Sequence, residues 1–269
     1  MKPLKRVVPF YFGSEGRELF GCVHEPPQKS IRRCGVLVCQ PVGHEYINSH
    51  RALRQLAAQL AEAGFPVLRF DYCGCGDSAG EAEQGSITRW LEDISTAIAE
   101  LRARAGVFQV CAIGLRLGGT LAAFAGSRRQ DFESLVLWDP VVNGRDYLKE
   151  LLSLQKDMLR FRPKPKRWKK SQVDMEILGF PLSRLLRAQL EELDLAMIAE
   201  EPAARVFIVQ SARTNDESGL RKHFVQTRAQ VECQTMEAPQ IWLPMPDGNL
   251  LVPAQLLQSV VSWVCGMYS

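Results

Sequence analysis

Apolar and polar positions follow two rhythms along this chain. Val7–Phe12 and Leu19–His24 are apolar or mixed runs separated by Gly13-Ser14-Glu15-Gly16, a spacing that predicts a β-hairpin. Cys34–Cys39 is a continuous apolar run. The stretch 49–63 then carries Leu53, Leu56, Ala57, Leu60 and Ala63 at helical spacing, and 65–70 is a further apolar run that ends in Asp71 and a glycine-rich turn. The alternation continues with a helix over 87–103, a strand over 108–113, a helix over 117–127 and strands over Ser134–Trp138 and Arg205–Gln210. A helix over 217–229, a strand over 240–243 and a helix over 250–264 complete it. Apolar strands alternating with amphipathic helices predict an α/β fold with a doubly wound, mostly parallel, eight-stranded sheet and an antiparallel start.

Between Trp138 and Arg205 the strand pattern stops for far longer than the dozen or so residues a plain crossover needs. A helical cap over 144–200, inserted after the sixth strand into a single domain, is expected there. Within it, 176–182 together with Leu185, Leu186, Leu190 and Leu193 reads as an apolar helical stripe packing the cap onto the body.

Composition narrows the class. At 269 residues with 46% hydrophobic positions the chain suits one core with an insertion. The basic start Met1-Lys2-Pro3-Leu4-Lys5-Arg6 leads into no apolar secretory segment, and no window offers the roughly 20 apolar residues of a membrane span. A cytoplasmic protein is expected, with its eight cysteines reduced; Cys22, Cys34, Cys39 and Cys111 fall inside strands as small hydrophobes. A net charge of +3 does not argue for nucleic acid, but the run from Arg160 to Lys170 gathers basic residues with no acid among them. Pro163 and Pro165 break it, so it reads as a solvated loop, or else as a docking site for an acidic protein partner.

Chemistry concentrates at three motifs. Gly114-Leu115-Arg116-Leu117-Gly118 follows a strand and opens a helix with the spacing of a G-x-S-x-G nucleophile elbow, the serine position being arginine. Arg69-x-Asp71-x-x-Gly74-x-Gly76-x-Ser78 forms a second motif, and Gln40-Pro41-Val42-Gly43-His44-Glu45-Tyr46 precedes it. In this order the three resemble the elbow, the turn after the fourth strand and the oxyanion loop of α/β hydrolases. The sequence is similar to bacterial serine-aminopeptidase-like hydrolases, including the exosortase-associated group. The resemblance implies an acid after the seventh strand, which falls at Asp216 with Asp139 as a second candidate, and oxyanion donors at the amides of Val42 and Leu117. It also implies a histidine after the last strand, where the loop 244–249 has none; the chain has only His24, His44, His50 and His223.

Arginine stays protonated and has no lone pair with which to attack a carbonyl, so ordinary Ser-His-Asp hydrolysis is not expected. A guanidinium at a helix start needs an anion, supplied either by Asp139 or Asp216, which would plug the pocket, or by the carboxylate or phosphate of a small-molecule or acyl ligand. His44 beside it reads as an exposed loop residue or as a general base, while His24, His50 and His223 read as surface or helix residues. A thiol nucleophile at Cys73 or Cys75 would have to act away from the attack trajectory. Their spacing lacks a second ligand pair, so neither metal nor cofactor is expected. The favoured expectation is a non-hydrolytic accessory protein that binds an anionic or other ligand. The alternative is an unconventional hydrolase or acyltransferase acting on ester, thioester or amide bonds through His44 or a cysteine.

Overall fold

The computed structural model describes residues 7–28, 31–160, 175–211, 217–245 and 248–268. In chain order the elements are β1 (Val7–Phe12), β2 (Leu19–His24), β3 (Cys34–Cys39), α1 (His44–Glu62), β4 (Val67–Phe70), α2 (Ile87–Ala105), β5 (Gln109–Leu115), α3 (Leu117–Arg129) and β6 (Ser134–Trp138). There follow α4 (Gly144–Leu159), β7 (Met175–Ile177), β8 (Phe180–Leu182), α5 (Arg184–Glu192), β9 (Arg205–Gln210), α6 (Glu217–Gln226), β10 (Gln230–Thr235) and α7 (Ala254–Met267).

Eight strands form one sheet in the order β1-β2-β4-β3-β5-β6-β9-β10. β1 and β2 join it antiparallel, and every pairing from β4 to β10 is parallel. This is the mostly parallel, doubly wound sheet that the sequence pattern predicts.

Both faces are covered, which is why β3 is buried at every position. Val36 and Val38 pack with Ala52, Leu53, Leu56 and Leu60 of α1 and with Leu256, Leu257, Val260 and Val264 of α7. Leu37 and Cys39 point the other way, into the cluster built by Ile94 and Ile98 of α2 and Leu121 of α3. α2 starts on the side chain of Ser86, which accepts from the Arg89 amide, and stops at Gly106 in the left-handed conformation with φ 65.

Several element boundaries differ from expectation. The last strand is Gln230–Thr235, and 240–243 is instead a turn that buries Ile241 and Trp242. β10 is an exposed edge strand rich in polar residues, so its hydrophobic signal is weak. α1 begins at His44, so His44 opens a helix rather than sitting in a loop. The 217–229 helix ends at Gln226, and the final helix begins at Ala254.

The inserted segment is not wholly helical. Met175–Ile177 and Phe180–Leu182 form a hairpin turning at Leu178 and Gly179, both at positive φ, and only Arg184–Glu192 of the expected apolar stripe is helix. Of the basic run, Arg160 is described and pairs with Asp157 at 3.6 Å; 161–170 lies outside the described residues. Among the described residues no helix is long and apolar enough to cross a membrane.

The crossing of α3 over β3 is tight. A Cβ on Gly118 would fall on the carbonyl oxygens of Cys39 and Gln40, whereas one on Gly266 in α7 meets nothing within 4 Å. Gly118→Ala is expected to cost about 2–3 kcal/mol in urea unfolding, since backbone must move. Gly266→Ala is expected to gain about 0.5–1 kcal/mol by its helix propensity.

Candidate functional site

Parallel pairing brings the carboxyl ends of five strands to one edge, the usual place for ligands in such sheets. One residue beyond β4, β3, β5, β6 and β9 stand Asp71, Gln40, Arg116, Asp139 and Ser211. The edge is therefore polar by construction.

Arg116 caps α3 at φ 52 and ψ −126, the strained conformation of a strand-to-helix elbow. Its amide donates to the Trp138 carbonyl at 3.0 Å, which anchors the turn to β6. Its side chain is only 10% exposed and is held by two acids. Nε donates to Glu45 Oε1 at 3.0 Å, and Nη2 donates to both carboxylate oxygens of Glu150 at 2.7 Å. Tyr147 Oη donates to the second oxygen of Glu45 at 3.0 Å, and the guanidinium carbon lies 4.8 Å from the Trp242 ring and 5.5 Å from that of Tyr147.

The electrostatics follow from this packing. Burial works against the Arg116 charge, but Glu45 and Glu150 outweigh it and hold the guanidinium more firmly protonated than usual. Burial pushes the Glu45 carboxyl up, and Arg116 pulls it back. Asp139 is not the partner that sequence reasoning offered to Arg116. It sits at φ 43 and accepts from the Ser211 amide at 3.0 and 3.1 Å and from Ser211 Oγ at 2.5 Å. Burial raises its carboxyl while the Ser211 hydrogen bonds hold it down. Asp216 lies outside the described residues.

His44 is brought near Arg116 but gains no hydrogen bond there. Its Nε2 is buried without a partner among the described residues, and its pKa is lowered to about 4, first by burial and then by the Arg116 charge. The other histidines are elsewhere: His24 is buried at the end of β2 beside Arg69, contrary to its reading as a surface or helix residue, while His50 and His223 lie in α1 and α6. Cys73 is tied into its turn by the Asp93 carboxylate on its amide and by Trp90 on its carbonyl. Cys75 is pushed up to about 12 by burial.

The Arg69-x-Asp71 motif works as scaffolding. Asp71 accepts from Gln40 Nε2 at 3.0 Å and from the Asp77 amide at 3.1 Å, while Ser78 Oγ donates to the Asp71 carbonyl and accepts from the Phe20 amide. These bonds lock the turn after β4 to the segment after β3 and to β2.

Two hollows meet at the elbow. An apolar cleft of about 80 Å³ is lined by Val42, Gly43, Trp90, Leu117, Tyr147, Leu182, Leu186 and Leu190, among others. The amides of Val42 and Leu117 hydrogen-bond to no described residue, so the pair of donors implied by the resemblance borders this cleft unused. A more polar cavity of about 270 Å³ lies against Arg116, Asp139, Glu150, Gln240 and Trp242.

Glu45, Tyr147, Glu150 and Trp242 escaped sequence reasoning. Tyr147 and Glu150 stand three apart and so share a face of α4, and Glu45 adjoins His44 in the first turn of α1. The only available signal was the rule that a buried arginine requires acids, and this does not say which.

Among solved structures, a highly thermostable carboxyl esterase from Bacillus coagulans superposes with TM-score 0.67 at 14% identity, covering 98% of this chain and 99% of its own. Est1E from Butyrivibrio proteoclasticus, solved with ferulic acid bound, gives 0.65 at 15% identity over 96% and 98%. A proline iminopeptidase from Mycobacterium smegmatis gives 0.65 at 12% over 97% and 98%. At these identities the likeness shows the fold. No curated protein matches the sequence. The sequence profile described as serine aminopeptidase, S33, matches residues 41–212, well over half of the chain. The chain therefore belongs to the serine aminopeptidase S33 family of α/β hydrolases.

Proposed function

We propose that this chain is a non-hydrolytic, ligand-binding member of its family, holding an acyl ligand in the apolar cleft beneath the inserted cap. The observation that carries the reading is Arg116, a guanidinium tied by Glu45 and Glu150 at the elbow position where the family places a nucleophile. Nothing about that group can attack a carbonyl. No histidine follows β10, and Asp139 is engaged by Ser211.

The ligand's chemistry is narrowed by charge. Two carboxylates already match Arg116, so a ligand carboxylate would have to displace Glu150, whose side chain is 44% exposed. An uncharged ester or amide carbonyl suits the unused amides of Val42 and Leu117 better, with its apolar tail among Leu182, Leu186 and Leu190.

The alternative of an unconventional hydrolase has weaker support. His44, lowered to about 4, is a feeble general base at neutral pH, and Cys75, pushed up to about 12, holds little thiolate.

Neither the wild type nor Arg116→Ser is expected to turn over p-nitrophenyl esters or aminoacyl anilides above background. A serine without its histidine lacks about a millionfold of triad catalysis. Turnover by the wild type that is lost on substituting Arg116 or His44 would overturn the reading.

Removing the guanidinium leaves a buried carboxylate uncompensated. Arg116→Met is expected to cost about 3–5 kcal/mol in urea unfolding, and adding Glu45→Gln should recover part of that loss.

His44 sets a pH dependence. With its folded pKa near 4 against 6.5 in the unfolded chain, the unfolded state binds more protons between those values. The His44 contribution is therefore present above 6.5 and lost as pH falls towards 4. Relative to His44→Gln, the wild type is expected to lose roughly 3 kcal/mol across that window, measured by urea unfolding at each pH.

A further inference from the structure

We infer that the carboxyl end of α4 is a docking surface for an anionic lipid bilayer, on which the chain lies without crossing it. Gly144, Tyr147 and Leu148 of this helix are buried, but among its described residues none after Leu148 is. The apolar pattern nevertheless goes on. Leu152 and Leu159 stand four and eleven positions beyond Leu148, on the same helical stripe, and they are 43% and 51% exposed, with Met158 at 38%. A single exposed leucine needs no explanation, whereas a helix that keeps its apolar stripe after leaving the core presents it to something else.

Charge says what that is. The run from Arg160 to Lys170 follows directly on the exposed turns, with seven Lys and Arg and no acid; beyond Arg160 it lies outside the described residues, and its contribution is one of composition. The whole chain carries +3 and the run +7, so the rest carries −4. A negatively charged surface therefore attracts this end of the molecule and repels the remainder, which fixes the side that faces it.

Phe161 and Trp168 are set among these bases. Aromatic rings and cations beside an apolar helix end suit the boundary of a bilayer, where apolar side chains enter between headgroups and Lys and Arg meet anionic ones. An acidic protein would meet the same charges through ion pairs at fixed positions, which a run interrupted by Pro163 and Pro165 is poorly built to hold. A bilayer demands no fixed spacing. Tyr147 and Leu151 of the same helix line the apolar cleft, so docking sets the roof of that cleft against the membrane. The inference does not depend on what the cleft holds.

Co-sedimentation of the whole chain with vesicles of phosphatidylcholine, and with vesicles of phosphatidylcholine and phosphatidylglycerol in equal parts, tests this. Binding to the mixed vesicles is expected to be at least about tenfold tighter than to phosphatidylcholine alone, and to weaken as sodium chloride is raised. Lys166→Gln, Lys169→Gln and Lys170→Gln combined are expected to weaken it about a hundredfold. Leu152→Ser with Leu159→Ser, which leaves every charge in place, is expected to weaken it about tenfold, with melting curves confirming a folded protein. No binding to the mixed vesicles at low salt, equal binding to both lipids, or affinity unchanged in the leucine variant overturns the inference. Polyglutamate bound more tightly than the mixed vesicles also overturns it and assigns the surface to an acidic protein.

Discussion

A guanidinium buried at the tip of a strained turn has to be matched by carboxylates, and the region above the sheet is arranged around that requirement. Arg116 cannot retreat, because its backbone is fixed at positive φ between β5 and α3 and pinned to Trp138. Its acids must therefore come to it. Glu45 arrives from the first turn of α1 and Glu150 from the middle of α4, with Tyr147 one turn earlier donating to Glu45. One side chain thus joins the elbow, the segment after β3 and the inserted segment, and the rings of Trp242 and Tyr147 pack against its guanidinium.

The fold makes such convergence cheap. Parallel strands that end in register deliver their next residues to a common edge, so Gln40, Asp71, Arg116, Asp139 and Ser211 become neighbours without any local relation in sequence. Four of these pair off as scaffolding, Asp71 with Gln40 and Asp139 with Ser211. The remaining charge is carried by Arg116 and its acids. The amides of Val42 and Leu117 are left over on the cleft side, and Gln40 Oε1, His44 Nε2 and Trp242 Nε1 are buried without partners among the described residues, while the oxygens of Glu45 and Asp139 are engaged.

The electrostatics also explain why neighbouring candidates are poor reagents. Burial beside a cation keeps His44 neutral, and burial, with the charges of Asp71 and Asp93 nearby, keeps Cys75 a thiol. Groups of this kind gain reactivity from an opposite charge nearby. Here the charge near the histidine has the same sign as its own protonated form.

The sequence by itself determined the layer architecture, the elbow and the arginine at its centre. Strand and helix periodicity is a local property, and the glycine at 114 is required by contact with Gly118 and Gly119 a few residues on, whereas Gly118, legible through the motif, is required by the carbonyls of Cys39 and Gln40 at the end of β3. The lack of a histidine beyond the last strand was equally legible, and it survives the relocation of that strand to Gln230–Thr235 because no histidine follows Thr235. Periodicity failed at β10, a polar edge strand, and at 240–243, where Ile241 and Trp242 are apolar because they plug the edge rather than extend the sheet. Tertiary structure alone decided the partners of Arg116. Glu45 is 71 positions away and Glu150 is 34, both farther in sequence than Asp139, which the sequence had offered instead. Ion pairs are chosen by the distance left after loops and rotamers settle, and no repeat in a linear chain encodes that distance.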